Sequence, residues 1–304
     1  MVKIPFCLDT DKLVNDLKII SWEAADILLY YSKEIKDIKQ KSKIVRNKGL
    51  NDPVTLADLE VNELIIKKIR ASYPQSEYII LSEENKKNSL LNSVCSSCDW
   101  VWVIDPLDGT KDFIQGTGNY AMHLALNYKN KPYLGFVLIP SKNELWIANG
   151  AKVWCERKER GNLKSQLSQK RDLKDMTIIT SKNHRNRSLE ELIDKINFKE
   201  KIVMGSIGCK LASIVKGHGD IYISLSLPGA SSPKDWDFAA PEAILNAAGG
   251  AITYIDNKEI TYNQKNFEQP GIIIASNNKQ NHKKICSEIS EIIRANNLYP
   301  IDIN

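Results

Sequence analysis

Long apolar runs are missing from this sequence of 304 residues. A membrane-spanning helix needs roughly 20 mostly apolar residues, and no uninterrupted apolar run approaches that length. The start of the chain, Met1–Phe6, does not lead into the apolar core and small-residue cleavage site of a secretion signal. We therefore expect a cytoplasmic protein with no membrane partner.

Cysteine and histidine are scarce, with six and four residues respectively. Cys95 and Cys98 form a CxxC pair, but no second Cys or His pair has the spacing that would complete a zinc site. The cysteines of a cytoplasmic protein are reduced thiols rather than disulfides. We therefore interpret the CxxC pair as part of a surface loop, with a redox role as the less favoured alternative.

A strong charge of one sign is also absent. The 42 basic and 37 acidic side chains leave a net charge of +5, and the excess lysines are scattered over helical and loop stretches. This pattern is typical of a solvated surface. Binding to a nucleic-acid polymer would rest on this charge alone and would show a steep salt dependence. No recognisable nucleic-acid-binding motif supports it, so we expect no such partner.

Apolar residues, by contrast, make up 42% of the chain, which is enough for two packed domains. Apolar positions at helical spacing predict helices over residues 10–33 and 55–72. Between them, residues 36–54 are polar and lysine-rich and predict a loop. Short apolar runs up to residue 148 then predict a mainly antiparallel sheet, in which Trp100–Ile104 is a buried strand.

The charged, weakly periodic stretch Glu156–Lys174 is the best candidate for a domain boundary. Beyond it, short strands alternate with helices, as in a mixed α/β layer. We therefore predict an N-terminal α+β domain over residues 1–158, carrying most of the acidic site residues. A C-terminal α/β domain is predicted over residues 159–304.

Five acidic side chains stand at the ends of predicted elements, where they can converge on one cleft. They are Asp58, Glu83, Asp105, Asp108 and Asp237. Carboxylates that lie together repel one another unless cations separate them. Oxygen ligands without Cys or His favour magnesium over zinc, and two such ions can clamp a phosphoryl group.

The segment Asp105-Pro106-Leu107-Asp108-Gly109-Thr110 combines two of these acids with a site for an anion. Its glycine allows a close backbone approach, and a turn that opens a helix presents free N–H groups to a phosphate. Turn chemistry alone does not explain two acids, a proline and a glycine after a buried strand. This segment therefore indicates phosphate chemistry more strongly than any other.

The remaining candidate residues have simpler interpretations, which the sequence leaves open. Asp58 alone could be a first-turn acid that favours the helix dipole. Glu83 and Glu84 could be an exposed loop pair. Asp237 could cap the helix that follows it, and Lys210 could be an ordinary solvated lysine.

At four places, in matching order and spacing, the sequence resembles the inositol monophosphatase superfamily. The matching segments are residues 52–58, Ser82-Glu83-Glu84, residues 102–113, and residues 236–242 with the Gly249-Gly250 pair that follows. The resemblance covers most of the chain. It implies a layered αβαβα sugar-phosphatase fold, two or three Mg²⁺ ions per site, a small phosphorylated substrate and inhibition by lithium. A homodimer is compatible with it.

Within the superfamily, the sequence is most similar to the 3'(2'),5'-bisphosphate nucleotidases of the bacterial CysQ type. These enzymes hydrolyse adenosine 3',5'-bisphosphate, a by-product of sulfate assimilation, to AMP and phosphate. The similarity rests on Lys111-Asp112-Phe113, on Ser181–His184 and on Gly205–Lys210. Two segments depart from it: Ser226–Lys234, and Asn119–His123, where a run of glutamate, phenylalanine and threonine is more usual. The first departure lies where the leaving group is expected, so it bears on the substrate rather than on the chemistry.

The roles of individual residues follow from the resemblance alone. It implies magnesium ligands at Glu83, Asp105, the Leu107 carbonyl, Asp108 and Asp237. It implies that Asp58 and Thr110 orient the nucleophilic water, with Glu83 assisting through its metal. Gly109 and Thr110 would hold the phosphate through backbone amides, next to Asp108 and Asp237. The leaving group would face Ser206, Gly208 and Lys210.

The sequence thus predicts a magnesium-dependent phosphomonoesterase in which water attacks phosphorus directly. Neither a DxDxT motif nor a Cys-x5-Arg loop, which would supply a protein nucleophile, is present. The favoured reaction is hydrolysis of adenosine 3',5'-bisphosphate. The alternatives are an inositol monophosphatase or fructose-bisphosphatase of the same superfamily, and a catalytically silent binding protein that has kept the fold.

Overall fold

The computed structural model describes residues 10–49, 52–74, 77–85, 98–158, 165, 171–183 and 185–300. Met1–Phe6, Cys95 and His184, which were named above, lie outside these residues. Parts of the predicted boundary stretch lie outside them as well. The fold described below rests on the remaining residues.

Two long helices, α1 (Thr10–Glu34) and α3 (Leu56–Ser72), form the first layer and confirm the two predicted helices. The predicted loop over residues 36–54 is wrong for most of its length. The chain there forms α2 (Ile38–Ile44) and a hairpin of β1 (Val45–Gly49) and β2 (Asp52–Thr55). Ile44 and Val54 are buried and anchor this stretch. Its many lysines conceal these few apolar anchors from a composition-based prediction.

The second layer is a six-stranded sheet with the order β3-β4-β5-β6-β7-β8. Its strands are β3 (Ile79–Ser82), β4 (Trp100–Asp108), β5 (Ala121–Tyr128), β6 (Lys131–Ile139), β7 (Glu144–Asn149) and β8 (Lys152–Glu156). Only the β3–β4 pairing is parallel, so the predicted antiparallel sheet is confirmed. A short helix, α4 (Thr110–Gln115), follows β4 after a single residue.

Alternation along β4 explains why this strand is apolar throughout. Trp100, Trp102 and Ile104 pack on the side of α1 and α3. Val101 and Val103 pack on the opposite side, in the core that lies beneath the middle helices. A strand that is buried on both faces needs apolar side chains at every position.

A second sheet of five strands has the order β10-β9-β11-β13-β12. Its strands are β9 (Thr177–Ser181), β10 (Glu200–Met204), β11 (Ile221–Ser226), β12 (Ala251–Tyr254) and β13 (Gly271–Ser276). The helices of this half are α5 (Arg187–Ile196), α6 (Ile207–Val215), α7 (Asp235–Ala247) and α8 (Lys279–Asn296). Helices α6 and α7 lie between the two sheets, and α5 and α8 cover the outer face of the second sheet.

The layers therefore alternate as helices, sheet, helices, sheet and helices, which confirms the predicted αβαβα fold. The core around α6 and α7 joins Phe238 of α7 to side chains from both sheets, including Val103 and Ile273. The division into domains at residues 158 and 159 stays a prediction. Among the described residues, no helix is both long and apolar enough to cross a membrane.

Candidate active site

Two of the predicted site residues come from the end of β4, where the strand contains a bulge. Asp105 pairs with His123 and Asp108 pairs with Ala121, so three steps along β4 match two along β5. An odd spacing in a regular strand would place the two aspartates on opposite faces. The bulge at Pro106 brings them to the same side, and proline is tolerated there because the ladder is already interrupted.

The third carboxylate, Asp237, comes from the first turn of α7. Carboxylate oxygens of Asp105, Asp108 and Asp237 all lie within 4.8 Å of one another. Asp237 also accepts a hydrogen bond of 2.6 Å from the backbone N–H of Lys234, which closes the start of the helix. The helix-cap interpretation of Asp237 and its place in the acidic cluster are therefore compatible, because a carboxylate has two oxygens.

This cluster has the electrostatics of a cation site. Burial raises the pKa of Asp105 well above its ordinary value, and the charges of Glu83, Asp108 and Asp237 raise it further. Burial and the charge of Asp108 raise the pKa of Asp237 to about 7. A divalent cation would relieve this repulsion. The oxygen-only donor set fits Mg²⁺ better than zinc.

Glu83 and Leu107 lie at the edge of this cluster. The parallel register pairs Ser82 with Ile104, so Glu83 follows β3 beside the position of Asp105 in β4. The charge of Glu83 contributes to the raised pKa of Asp105. The Leu107 carbonyl accepts a hydrogen bond of 3.1 Å from the Thr110 hydroxyl, which leaves it a second lone pair. Metal binding by both residues stays a prediction.

Asp58 lies on the other side of this cluster, at the start of α3. One of its oxygens, Oδ2, accepts hydrogen bonds from the Thr55 hydroxyl at 2.6 Å and the Thr55 N–H at 2.8 Å. Its Oδ1 lies 3.4 Å from the Thr110 hydroxyl. Burial raises the pKa of Asp58 to about 7, although the Thr55 bonds oppose this. Asp58 is thus both a helix-start residue and a partner of Thr110, as the resemblance implied.

Gly109 makes the turn between β4 and α4. Its φ of 89° lies in the left-handed region, which glycine adopts without a steric penalty. A Cβ at this position would lie 3.0 Å from the Asn119 carbonyl oxygen and 3.3 Å from Ser206. The first N–H groups of a helix have no partner within that helix. Phosphate binding by Gly109 and Thr110 stays a prediction that this turn geometry supports.

Asp108 has quite different surroundings from Asp58. Its Oδ2 accepts hydrogen bonds from the Ser206 hydroxyl at 2.6 Å and from the Gly208 N–H at 3.1 Å. The same oxygen lies 3.3 Å from Nε2 of His123. Burial by itself would raise the pKa of Asp108, but His123, Lys210 and the Ser206 hydroxyl hold it well below its usual value. Asp108 therefore remains ionised.

Lys210 is buried rather than solvated, so the simpler interpretation of this lysine is wrong. Only 3% of the residue is exposed. Its Nζ donates a hydrogen bond of 3.0 Å to the Ser206 carbonyl and lies 5.2 Å from the centre of the Tyr222 ring. Burial lowers its pKa, and the charge of Asp108 opposes this. Ser206 and Gly208 thus bind Asp108, and Lys210 binds Ser206. The contact of these three residues with a leaving group stays a prediction.

His123 is a site residue that sequence reasoning missed. It is 1% exposed, and its Nδ1 lies 3.1 Å from the Trp236 carbonyl while Nε2 faces Asp108. A Cβ on Gly208 would overlap this ring, so the contact depends on that glycine. The available signal was one histidine inside a mostly apolar strand, in a chain with only four histidines. The sequence showed it only as a departure from the family pattern.

A search with family models identifies the family of the chain. The description of the matching model is inositol monophosphatase family, and it matches residues 10–294. The 3'(2'),5'-bisphosphate nucleotidase CysQ of Escherichia coli (strain K12) is 29% identical over 232 residues, covering 76% of this chain and 88% of the relative. CysQ of Buchnera aphidicola is 31% identical over 213 residues, covering 70% and 75%.

Solved structures agree with this assignment. The Thermotoga maritima IMPase superposes with a TM-score of 0.70 at 22% identity, covering 94% of this chain and 99% of that chain. This likeness concerns the fold alone. CysQ from Bacteroides thetaiotaomicron, described as a bacterial member of the inositol monophosphatase family, gives a TM-score of 0.67 at 26% identity, covering 86% and 95%.

Proposed function

Because the chain belongs to the inositol monophosphatase family, we propose that it is a magnesium-dependent phosphomonoesterase that hydrolyses adenosine 3',5'-bisphosphate to AMP and phosphate. The observation that carries the chemistry is the cluster of Asp105, Asp108 and Asp237 beside the Asp58–Thr110 pair. The nucleotide substrate is supported by relatives named 3'(2'),5'-bisphosphate nucleotidase, which align with most of the chain.

The proposed Mg²⁺ ligands are the three clustered aspartates, with Glu83 and the Leu107 carbonyl as further ligands. When bound, Mg²⁺ supplies positive charge to the phosphoryl oxygens and makes water more acidic. The pKa shifts of Asp105 and Asp237 support this assignment, since both carboxyl groups resist ionisation without a counter-charge. The family resemblance also implies inhibition by lithium.

Asp58 and Thr110 are proposed to orient the attacking water and to accept its proton. An efficient general base has a pKa near the working pH, and burial raises the pKa of Asp58 to about 7. The two Thr55 bonds fix one carboxylate oxygen and leave Oδ1 directed at Thr110. Positioning and charge, rather than a protein nucleophile, would supply most of the rate.

Asp108 is proposed to remain a charged ligand throughout the reaction. Ser206 and Gly208 hold its Oδ2, and the nearby His123 keeps it ionised. Because Ser206 and Gly208 come from the N-terminal end of α6, they connect the acidic cluster to the side on which the leaving group is expected. Direct contact of Lys210 with the leaving group is part of the same proposal.

The test measures phosphate release from adenosine 3',5'-bisphosphate and from inositol 1-phosphate side by side, with Mg²⁺ and then with EDTA. Magnesium-dependent release mainly from the nucleotide is the expected result. Release mainly from the inositol ester would retain the site and overturn the substrate. Fructose 1,6-bisphosphate serves as a third substrate for the remaining family alternative. If no ester is hydrolysed, the proposal fails and a silent binding protein is favoured.

A further inference from the structure

The side chain of Asp112 in α4 lies at a junction of three segments and has no role in the site described above. The residue is 1% exposed. Its Oδ1 accepts a hydrogen bond of 2.7 Å from the Thr117 hydroxyl, and its Oδ2 accepts one of 2.7 Å from the side-chain amide of Asn183. A Cβ on Gly205 would overlap this carboxylate. Asp112 of α4 therefore contacts Thr117 just after that helix, the segment after β9 and the residue before Ser206.

Each of these segments leads to a proposed site residue. Helix α4 begins at Thr110, two residues before Asp112, and Gly205 precedes Ser206, which binds Asp108. The segment Ser181–Asn183 runs beside Gly205, because β9 and β10 pair in parallel and the Lys182 N–H donates to the Met204 carbonyl. One buried carboxylate thus connects the phosphate-binding turn to the second sheet.

The expected in-line geometry of attack on phosphorus places the leaving group near this junction. In-line displacement puts the attacking water and the leaving group on opposite sides of phosphorus. The water is proposed to lie on the side of Asp58 in the first half of the chain. The opposite side is formed by the second half of the chain, where Gly205 and the Ser181–Asn183 segment meet α4.

From this geometry we propose that Asp112 is a positioning residue that holds the Ser181–Asn183 segment against α4 and thereby determines how tightly the leaving group is bound. Asp112 acts through Asn183 and does not touch the reacting atoms. Because the Asn183 amide donates directly to this buried carboxyl group at 2.7 Å, the contact orders the segment. The identity of the leaving group as a nucleotide rests on the proposed function above.

The test is a cycle of three variants at the contact. Asn183→Asp places a second carboxylate against Asp112, and Asp112→Asn in that background restores a donor and an acceptor. We expect Asn183→Asp to lower kcat/KM for adenosine 3',5'-bisphosphate at least tenfold, mainly through KM. The loss should be less than threefold for methyl phosphate, whose leaving group is a single carbon and is too small to reach the segment. The double variant should recover most of the loss.

Two further variants keep the test interpretable. Asn183→Ala removes the contact without adding charge and should act in the same direction with a smaller amplitude. Gln115→Ala is the matched control, because Gln115 accepts an exposed hydrogen bond from Lys182 between the same two segments. It should change kcat/KM less than twofold.

Equal losses on both esters, or no rescue in the double variant, would show a structural role only and overturn the positioning role. The wild-type protein separates this result from a failure of the proposed function. If it hydrolyses inositol 1-phosphate and not the nucleotide, the substrate assignment fails. The same cycle, comparing the inositol ester with methyl phosphate, then decides the role of Asp112. If the wild type hydrolyses no phosphate ester, both proposals are overturned.

Discussion

Asp58 and Asp108 are both buried aspartates of one site, yet their pKa values shift in opposite directions. Burial raises the pKa of Asp58 to about 7, against hydrogen bonds from the neutral groups of Thr55. Asp108 is also buried, but the neighbouring His123, Lys210 and Ser206 lower its pKa. The hydrogen bonds from Thr55 therefore do not offset the effect of burial on the pKa of Asp58, whereas the neighbours of Asp108 more than offset it.

The difference divides the site into two sides with separate tasks. The side of Asp58 is suited to accept a proton near neutral pH. The side of Asp108 is suited to hold a cation, because its carboxylate stays charged. The following predictions test whether this division is real, beginning with the largest expected effect.

The largest effect should come from removing either aspartate at the end of β4. Asp105→Asn and Asp108→Asn should each lower Mg²⁺-dependent phosphate release more than about 100-fold, since the loss of a metal ligand exceeds the 10–100-fold loss typical of its outer partners. The measurement is kcat/KM in purified, folded variants. Asp194→Asn, on the exposed face of α5, is the matched control. Full activity in either folded site variant would disprove the assignment.

The same two variants should differ in stability when no metal is present. Asp108→Asn removes the negative partner of His123 and Lys210 and should lower the free energy of unfolding by roughly 3 kcal/mol, as for a broken buried ion pair. Asp105→Asn removes one of several repelling carboxylates and should leave stability unchanged or raise it by about 1 kcal/mol. Urea unfolding in EDTA measures both. Equal destabilisation of the two variants would contradict the comparison.

A smaller effect is expected for a substitution of His123, which distinguishes the surroundings of Asp108 from those of Asp58. His123→Gln keeps a polar side chain but removes the ring that faces Asp108, and should lower kcat/KM about tenfold, as for other outer partners of a metal ligand. Titration with Mg²⁺ should show weaker binding in the same variant. An unchanged Mg²⁺ affinity would mean that Ser206 and Gly208 position Asp108 without His123.

The last prediction concerns Glu242, a buried carboxyl outside the site whose hydrogen-bond partners among the described residues are neutral. Its oxygens accept bonds from Tyr262 at 2.5 Å and from Asn246 at 3.2 Å, and burial raises its pKa to about 7. Because the folded-state pKa lies above the ordinary value of 4.5, its stabilising contribution is complete below pH 4.5. That contribution is lost as the pH rises through 7.

Glu242→Gln should therefore remove a pH dependence of roughly 2.5 kcal/mol between pH 5 and pH 8, at about 1.4 kcal/mol for each unit of pKa shift. Chemical unfolding at pH 5 and at pH 8 is the measurement. At pH 8 the variant should be more stable than the wild type. Glu190→Gln, at an exposed carboxylate of α5, is the control and should leave the pH dependence unchanged. A Glu242→Gln variant with the wild-type pH profile would show that the pKa of Glu242 is not raised in the folded protein.

Local sequence features predicted much of the fold. Apolar spacing identified α1 and α3, and the buried strand Trp100–Ile104 lies at the centre of β4. The order of acidic residues also indicated which side chains could meet, and the structure brings Asp105, Asp108 and Asp237 together. These features are readable because each depends on neighbours within a few residues along the chain.

The remaining features depend on contacts between distant residues. The surroundings of Asp108 include Ser206, which lies 98 positions away, so no local pattern shows why this aspartate stays ionised. The β4 bulge becomes visible only in the register with β5. The hairpin of β1 and β2 was hidden because a few apolar anchors lie among many lysines. The role of His123 depends on Asp108 and Trp236, and Trp236 lies 113 positions away along the chain.

Because position 208 is a glycine with no side chain, it also restricts which substitutions this protein can accept during evolution. Any larger residue at Gly208 would overlap the ring of His123, so the substitution is tolerated only after position 123 has become smaller. Once a larger residue is established at position 208, a return to histidine at position 123 is blocked. The order in which the two mutations arise therefore decides whether the intermediate protein keeps an intact site. Substitutions at positions 123 and 208 depend on each other.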